Sequence, residues 1–268
     1  FISSVQNNEY VKINDVFVND SKESFICGST LNSSGDTVGF VAKLSATGVK
    51  EWEKSLELVS GREYAKFQRL YVDGNDIWVV GVNKPNIQIF DGYNPDIILV
   101  KYVQDSNGLD ASLAFQKGYA GISGSTRSDN VTVIKKYSST RYVIGGYTNT
   151  NSGSPYDAFV ALIDTTGSFA IKRKFASENK SEKVTDIVVS GTDIYFTLET
   201  ADNVNSGSIR VALGKANVSA SAITVDWITE HSNSVYSFQN SSLAIDEYNE
   251  FYVTANLRLK SDNHNNNH

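Results

Sequence analysis

Apolar positions along this chain fall in short blocks, some alternating with polar residues and some continuous, separated by clusters of Gly, Asp, Asn and Ser. Blocks of that kind bounded by turn residues are the pattern of β-strands, and no segment sustains a 3.6-residue helical period. "YAKFQRLYV" has mixed spacing, yet its register with the other blocks assigns it to β as well. The text also repeats. "VDGNDIWVVG" (Val72–Gly81) returns as "VSGTDIYFTL" (Val189–Leu198), with the same small-polar turn, the same Asp-Ile and an aromatic in the same place. Matching aromatic runs end at Gly28, Gly81, Gly145, Leu198 and Thr254, at steps of 53, 64, 53 and 56 residues.

Each unit opens with a first apolar strand: "INDVFV", "FQRLYV", "VTVIKKY", "VTDIVV" and "SSLAID". A short turn such as "DGND" or "SGTD" leads into the aromatic run, with Gly, Asp and Asn supplying the backbone conformations that tight hairpins need. A polar loop follows, then a third strand ("GFVAKL", "DIILVKY", "DAFVALI", "SIRVAL") and turns such as "SATG", "DSNG" or "DTTG". The fourth strand closes the unit: "KEWEKSL", "LDASLAF", "FAIKRKF" and "ITVDWIT". Continuous apolar runs suit strands buried on both faces, and alternating ones such as "VKEWEKSL" suit a half-exposed outer edge.

A four-stranded unit recurring about every 50 residues is the signature of a β-propeller blade. The rival, a pair of β-sandwiches, rarely repeats the same strand-turn text four times. The predicted fold is therefore all-β: a β-propeller of four-stranded antiparallel blades, with about five visible or as part of a larger ring. The expected organisation is one propeller domain over residues 1–260. Its blades lie near 11–60, 65–118, 130–178, 183–231 and 241–260, with an N-terminal strand at 1–7 and a polar tail or linker at 261–268. Closure is expected either from both termini completing the last blade or within a larger ring, because an open strand edge invites assembly. Trp78 reads as a core residue, at the position held by Phe25, Tyr142, Tyr195 and Phe251 in the other units.

"DTVGFVAKLSATGVKEWEKSL" and "YDAFVALIDTTGSFAIKRKF" resemble the bacterial SBBP-type propeller repeat: an Asp-aromatic strand, an apolar "K-L" position, a Gly turn, then a strand with Trp or another aromatic. "VDGNDIWVVGVN" and "VSGTDIYFTLET" resemble the opening of the next blade in that pattern. The resemblance is clearest over 36–81 and 156–198 and implies a blade, not a chemistry. It also implies a secreted or cell-surface setting, without an assigned activity. "SIRVALGKANVSAS" departs from the pattern, lacking both the Asp-aromatic opening and the Gly turn.

Charge narrows the partners. The net charge of −6 is spread without a basic stripe, so no nucleic-acid partner is expected. No segment approaches the roughly 18 consecutive apolar residues of a membrane-spanning helix. Cys27 is the single cysteine, which leaves no intrachain disulfide, and its apolar surroundings mark it as a packed residue.

Catalytic signatures are lacking: the sequence has no H-E-x-x-H, C-x-x-C, Walker loop or G-x-G-x-x-G, and "GISGS" only looks like a nucleophile elbow. His231 stands alone between units, while His264 and His268 fall in the polar tail. "DGND" (Asp73–Asp76) and "DGYNPD" (Asp91–Asp96) miss the calcium-loop spacing. A quinone site is not supported, since only Trp52 fits its turn-then-Trp pattern. The expectation is accordingly of no catalytic residues, no metal and no cofactor. Carboxylate pairs are the exception, because their partners meet in space and not in sequence.

The long loop Asn83–Asp96, "NKPNIQIFDGYNPD", is the binding candidate. Asn86, Phe90, Asp91, Tyr93 and Asn94 combine aromatic faces with amides and carboxylates, as sugar or peptide recognition requires. The counterparts "TLNSSGDT", "TNTNSGSPY" and "TADNVNSG" are expected at the same end, making a polar loop face for a protein or glycan partner. Sequons at Asn19, Asn32, Asn130, Asn179, Asn217 and Asn240 permit glycosylation, although roughly five would arise by chance in so polar a chain. The leading expectation is a non-enzymatic, secreted or surface-associated interaction scaffold. The alternatives are a lectin-like propeller and a hydrolase or lyase with carboxylates at the central opening.

Overall fold

The computed structural model describes residues 11–56, 62–85, 96–119, 129–149, 155–175, 180–202 and 209–259. The chain divides into two compact units, Phe1–Ile134 and Lys135–His268. All regular structure among the described residues is β, arranged as the antiparallel blades of a β-propeller. The leading strand expected at 1–7 and the tail at 261–268 lie outside the described residues.

The first blade runs β1 (Lys12–Val18), β2 (Ser24–Leu31), β3 (Thr37–Leu44), β4 (Lys50–Ser55). The second runs β5 (Arg62–Asp73), β6 (Asp76–Pro85), β7 (Asp96–Gln104), β8 (Ala111–Tyr119). One parallel pair, Thr37 with Tyr64, joins them into a single sheet. The third comprises β9 (Asp129–Ser138), β10 (Arg141–Thr148), β11 (Asp157–Asp164) and β12 (Phe169–Phe175). The fourth comprises β13 (Ser181–Ser190), β14 (Asp193–Ala201), β15 (Ile209–Val218) and β16 (Ile223–His231). A two-stranded sheet, β17 (Tyr236–Ile245) with β18 (Phe251–Leu259), follows.

The turns obey local chemistry. In "SATG", "DSNG" and "DTTG" the last residue has positive φ (Gly48 82°, Gly108 69°, Gly167 80°). The first residue's side chain accepts a following backbone N–H: Ser45 Oγ from Val49 (3.2 Å), Asp105 Oδ1 from Leu109 (2.9 Å), Asp164 Oδ1 from Ser168 (2.9 Å). The departing fourth unit turns without glycine, Ser219 N donating to Ala222 O at 2.8 Å.

Second and third strands of three blades share one side-chain arrangement. Phe25 pairs with Lys43, Trp78 with Lys101 and Tyr195 with Lys215. Each ammonium lies over its aromatic ring, at 5.9, 5.2 and 5.8 Å. Each also meets a carboxylate two residues before that aromatic: Glu23 at 2.8 Å, Asp76 at 2.7 Å, Asp193 at 2.9 Å. The third blade puts Ile163 opposite Tyr142 instead. The "K-L" position is thus where a lysine bridges two strands by charge and by cation–π attraction. Trp78, Phe25 and Tyr142 are fully buried, whereas Tyr195 and Phe251 are half-buried and pack on each other at 4.5 Å.

First strands are bulged at a common place, with register shifts at Ile13/Asp15, Phe67/Arg69 and Val184/Asp186. The carbonyl beside the bulge leaves no space on the second strand, so a Cβ at Gly28 would lie 1.9 Å from Lys12 O and one at Gly81 1.9 Å from Lys66 O. That is why these anchors are glycine. Between the first two blades the core gathers Phe25, Cys27, Trp52, Phe67, Ile77 and Ile98.

Candidate functional site

A pocket of about 220 Å³ opens in the second unit, lined by Tyr147, Tyr156, Ser181, Glu182, Lys183, Glu199, Thr200, Ala201 and Ile209. These residues belong to the end of β10, the residue before β11, the start of β13, the end of β14 and the start of β15. They adjoin the described ends of two of the polar loops, residues 148–149 with Tyr156 and residues 200–202.

Two carboxylates lie in its walls, both among the most buried polar residues: Glu182 is 6% exposed and Glu199 3%. They come from neighbouring strands, Glu182 opposite Thr200 and Lys183 opposite Glu199, so their side chains leave opposite faces of the ladder at its end. Glu199 Oε2 meets Lys183 Nζ at 2.8 Å, and its Oε1 accepts the backbone N–H of Ser241 at 3.2 Å. A buried carboxylate needs such compensation. The lysine side chain is 39% exposed against 2% for that of Glu199, so the cation reaches solvent while the anion sits inside.

The aromatic wall is fixed from the backbone. Glu182 N donates to Tyr156 O at 2.7 Å, and Tyr156 N donates to Ser181 Oγ at 3.4 Å, tying the loop before β11 to the start of β13. Tyr156 meets Tyr147 edge-on, with centroids 5.0 Å apart. Outside the pocket, Arg210 bonds Asp202 and approaches Glu230 at 3.4 Å, and Lys180 bonds Glu230 at 2.9 Å. The hydrogen bond from Arg210 holds the Asp202 carboxyl below its ordinary value, and the same bond raises the guanidinium. Two buried carboxylates beside two tyrosine rings, two hydroxyls and an ammonium can grip the hydroxyls of a sugar and stack on its apolar face.

The sequence-predicted loop site at Asn86, Phe90, Asp91, Tyr93 and Asn94 lies outside the described residues, as does Asn179. Among the other sequons, Asn19 and Asn32 close turns, accepting from Glu23 N at 2.9 Å and Asp36 N at 2.8 Å. Asn217 donates to Asp226, Asn130 is half-buried in β9, and Asn240 is exposed in β17. His231 is exposed, 6.4 Å from the Phe238 ring. Among the described residues no three metal-ligating side chains cluster, and no helix is long and apolar enough to cross a membrane.

Sequence reading missed Glu182, Glu199, Tyr147 and Tyr156. One signal was present: Glu199 interrupts "IYFTLETA", where a carboxylate inside a buried strand demands a partner.

No protein-family model and no curated protein matches the chain. Solved structures of similar fold exist. An apocarotenoid oxygenase from Synechocystis is 10% identical with a TM-score of 0.52, covering 94% of this chain and 56% of its own. An α-L-arabinofuranosidase from Lactobacillus brevis is 9% identical (TM-score 0.48; 92% and 83% covered). An exo-1,5-α-L-arabinanase from a bovine ruminal metagenomic library is also 9% identical (TM-score 0.44; 92% and 88%). Identity this low speaks to fold, and the fold is a β-propeller of about five blades. The expectation of a non-enzymatic scaffold is corrected: these structures of similar fold are enzymes, and this chain's own activity is a matter of proposal.

Proposed function

We propose that this chain is a β-propeller glycoside hydrolase acting at the pocket that Glu182 and Glu199 line. The observation that carries the reading is the burial of both carboxylates in one open pocket, beside the Tyr147–Tyr156 pair. Glycoside hydrolysis uses one carboxylic acid to protonate the leaving oxygen and one carboxylate to stabilise positive charge at the sugar carbon or to activate water. Glu199, gripped by the Lys183 ammonium and the Ser241 N–H, is the fixed anion.

The test is a panel of nitrophenyl glycosides and plant and bacterial polysaccharides, assayed with the wild type, Glu182→Gln and Glu199→Gln. Either substitution is expected to lower kcat/KM by about 10²–10⁴-fold, the usual share of a positioned acid or base. A wild type inactive on the whole panel, or activity surviving both substitutions, defeats the reading.

One observation favours a second reading, sugar binding without turnover: both oxygens of Glu199 are already engaged. Glycan-array binding lost in Tyr147→Ala, with no hydrolysis by the wild type, would decide for it. The loop residues Asn86, Phe90, Asp91, Tyr93 and Asn94 are proposed as an auxiliary sugar contact, tested by Phe90→Ala with Tyr93→Ala on the same array. A secreted or surface location, and the SBBP-type blade resemblance, belong to this proposal.

A further inference from the structure

The pocket carboxylate Glu199 is held from a strand that does not line the pocket. The β17–β18 register shifts between Gln239 and Ser242, so Asn240 and Ser241 bulge out of the ladder. Asn240 takes the left-handed conformation, φ 53°, one of three non-glycine residues to do so among those described. Asn tolerates that region better than most side chains, but it is an uncommon conformation and bulges serve to re-aim groups near functional sites. Its effect here is specific. It turns Ser241 N–H onto Glu199 Oε1 at 3.2 Å in a buried setting, Ser241 being 4% exposed.

The Ser241 hydroxyl is anchored in turn. It meets Thr185 Oγ1 at 2.6 Å, and that hydroxyl meets Thr197 Oγ1 at 2.9 Å. Thr185 is itself the residue skipped by the β13 bulge, and Thr197 is fully buried two positions before Glu199 on β14. Two facing bulges are thus locked by three hydroxyls, and the product is an N–H aimed at a pocket carboxylate.

We infer that the Asn240–Ser241 bulge is a positioning element for Glu199, so that the two-stranded β17–β18 sheet supports a pocket carboxylate of the fourth blade from behind. Asn240 and Ser241 touch no substrate in this scheme; they act through Glu199. The inference rests on the hydrolase reading only for its kinetic consequence.

The test uses the full chain, ¹⁵N-labelled, with Asn249→Val as control. Asn249 has the same backbone strain (φ 63°) but sits in the Asp246–Glu250 turn, outside the pocket and this hydroxyl chain. Asn240→Val is expected to displace the Ser241 amide resonance and lower kcat by about 10–100-fold with KM within about twofold, the cost of misplacing a reacting group. Asn240→Gly, which adopts positive φ freely, is expected to restore both. Asn249→Val is expected to destabilise comparably yet leave the Ser241 amide and kcat in place. Glu199→Gln is expected to move the Ser241 amide. A Ser241 amide indifferent to Glu199→Gln, or Asn240→Val behaving like Asn249→Val, overturns the inference. If the wild type hydrolyses nothing, the hydrolase reading fails alone, and the amide shifts still decide the positioning.

Discussion

Asp186 Oδ2 accepts the backbone N–H of Leu243 at 3.0 Å, reaching from the first strand of one blade to the first strand of the next. Its other oxygen accepts its own neighbour's N–H, Ile187, at 2.9 Å. Asp15 repeats the arrangement in the first unit, with Leu70 N and Val16 N both at 3.0 Å. The bulge before each aspartate turns it out of its own ladder, which is what lets it serve two strands.

Asp15→Ala and Asp186→Ala should therefore each leave the next blade's N–H without its acceptor, costing about 1–3 kcal/mol. Urea unfolding of each variant measures this. The Asp186 change should cost more, because Ser242 Oγ also donates to that oxygen at 2.7 Å.

Gly28→Ala and Gly81→Ala should be among the most damaging methyl additions to the chain, at least about 3 kcal/mol each, since the obstructing atom is a backbone oxygen that cannot swing aside. Gly35→Ala, in an open turn at φ 86°, should cost only about 1 kcal/mol. Equal midpoints for Gly81→Ala and Gly35→Ala in a thermal melt would falsify the packing account.

Lys43 sets a pH window for the first blade. It is 4% exposed, lies 2.8 Å from Glu23 and 2.9 Å from Glu51, and donates to Gly108 O at 3.1 Å. Burial pulls the ammonium down, but the bonds to Glu23 and Glu51 outweigh it and leave it raised. The bond from Lys43, helped by Asn19, holds the Glu23 carboxyl below its ordinary 4.5. The Glu23 contribution is thus present above 4.5 and lost as pH falls through its lowered folded value. That of Lys43 is present below 10.5 and lost as pH rises through its raised value. Lys43→Met should cost about 1–3 kcal/mol near neutrality, because both carboxylates are partly solvated, and should flatten the acid limb. Denaturant midpoints from pH 2 to 7, in both proteins, supply the comparison.

The Cys27 thiol is fully buried, and desolvation, with Asp15 nearby, pushes its ionisation far above the normal range. It should not react with a thiol reagent at pH 8 in the folded protein and should react fully in denaturant. Rapid labelling of the native chain would show that the core between the first two blades opens.

Sequence by itself determined the blades, because strand formation and tight turns depend on neighbours a few residues apart. Period-two and continuous apolar runs marked the strands, and "SATG", "DSNG" and "DTTG" marked their turns. The lysine of the "K-L" position was legible as a repeat, but its aromatic and carboxylate partners appear only once register sets Phe25 against Lys43. The pocket was decided wholly by tertiary structure. Glu199 meets Lys183, 16 residues earlier, only through pairing of β13 with β14, Tyr147 and Tyr156 arrive from another blade, and Ser241 reaches Glu199 from 42 residues away. No local pattern encodes such meetings, since burial and compensation of a carboxylate depend on which strands become neighbours in space.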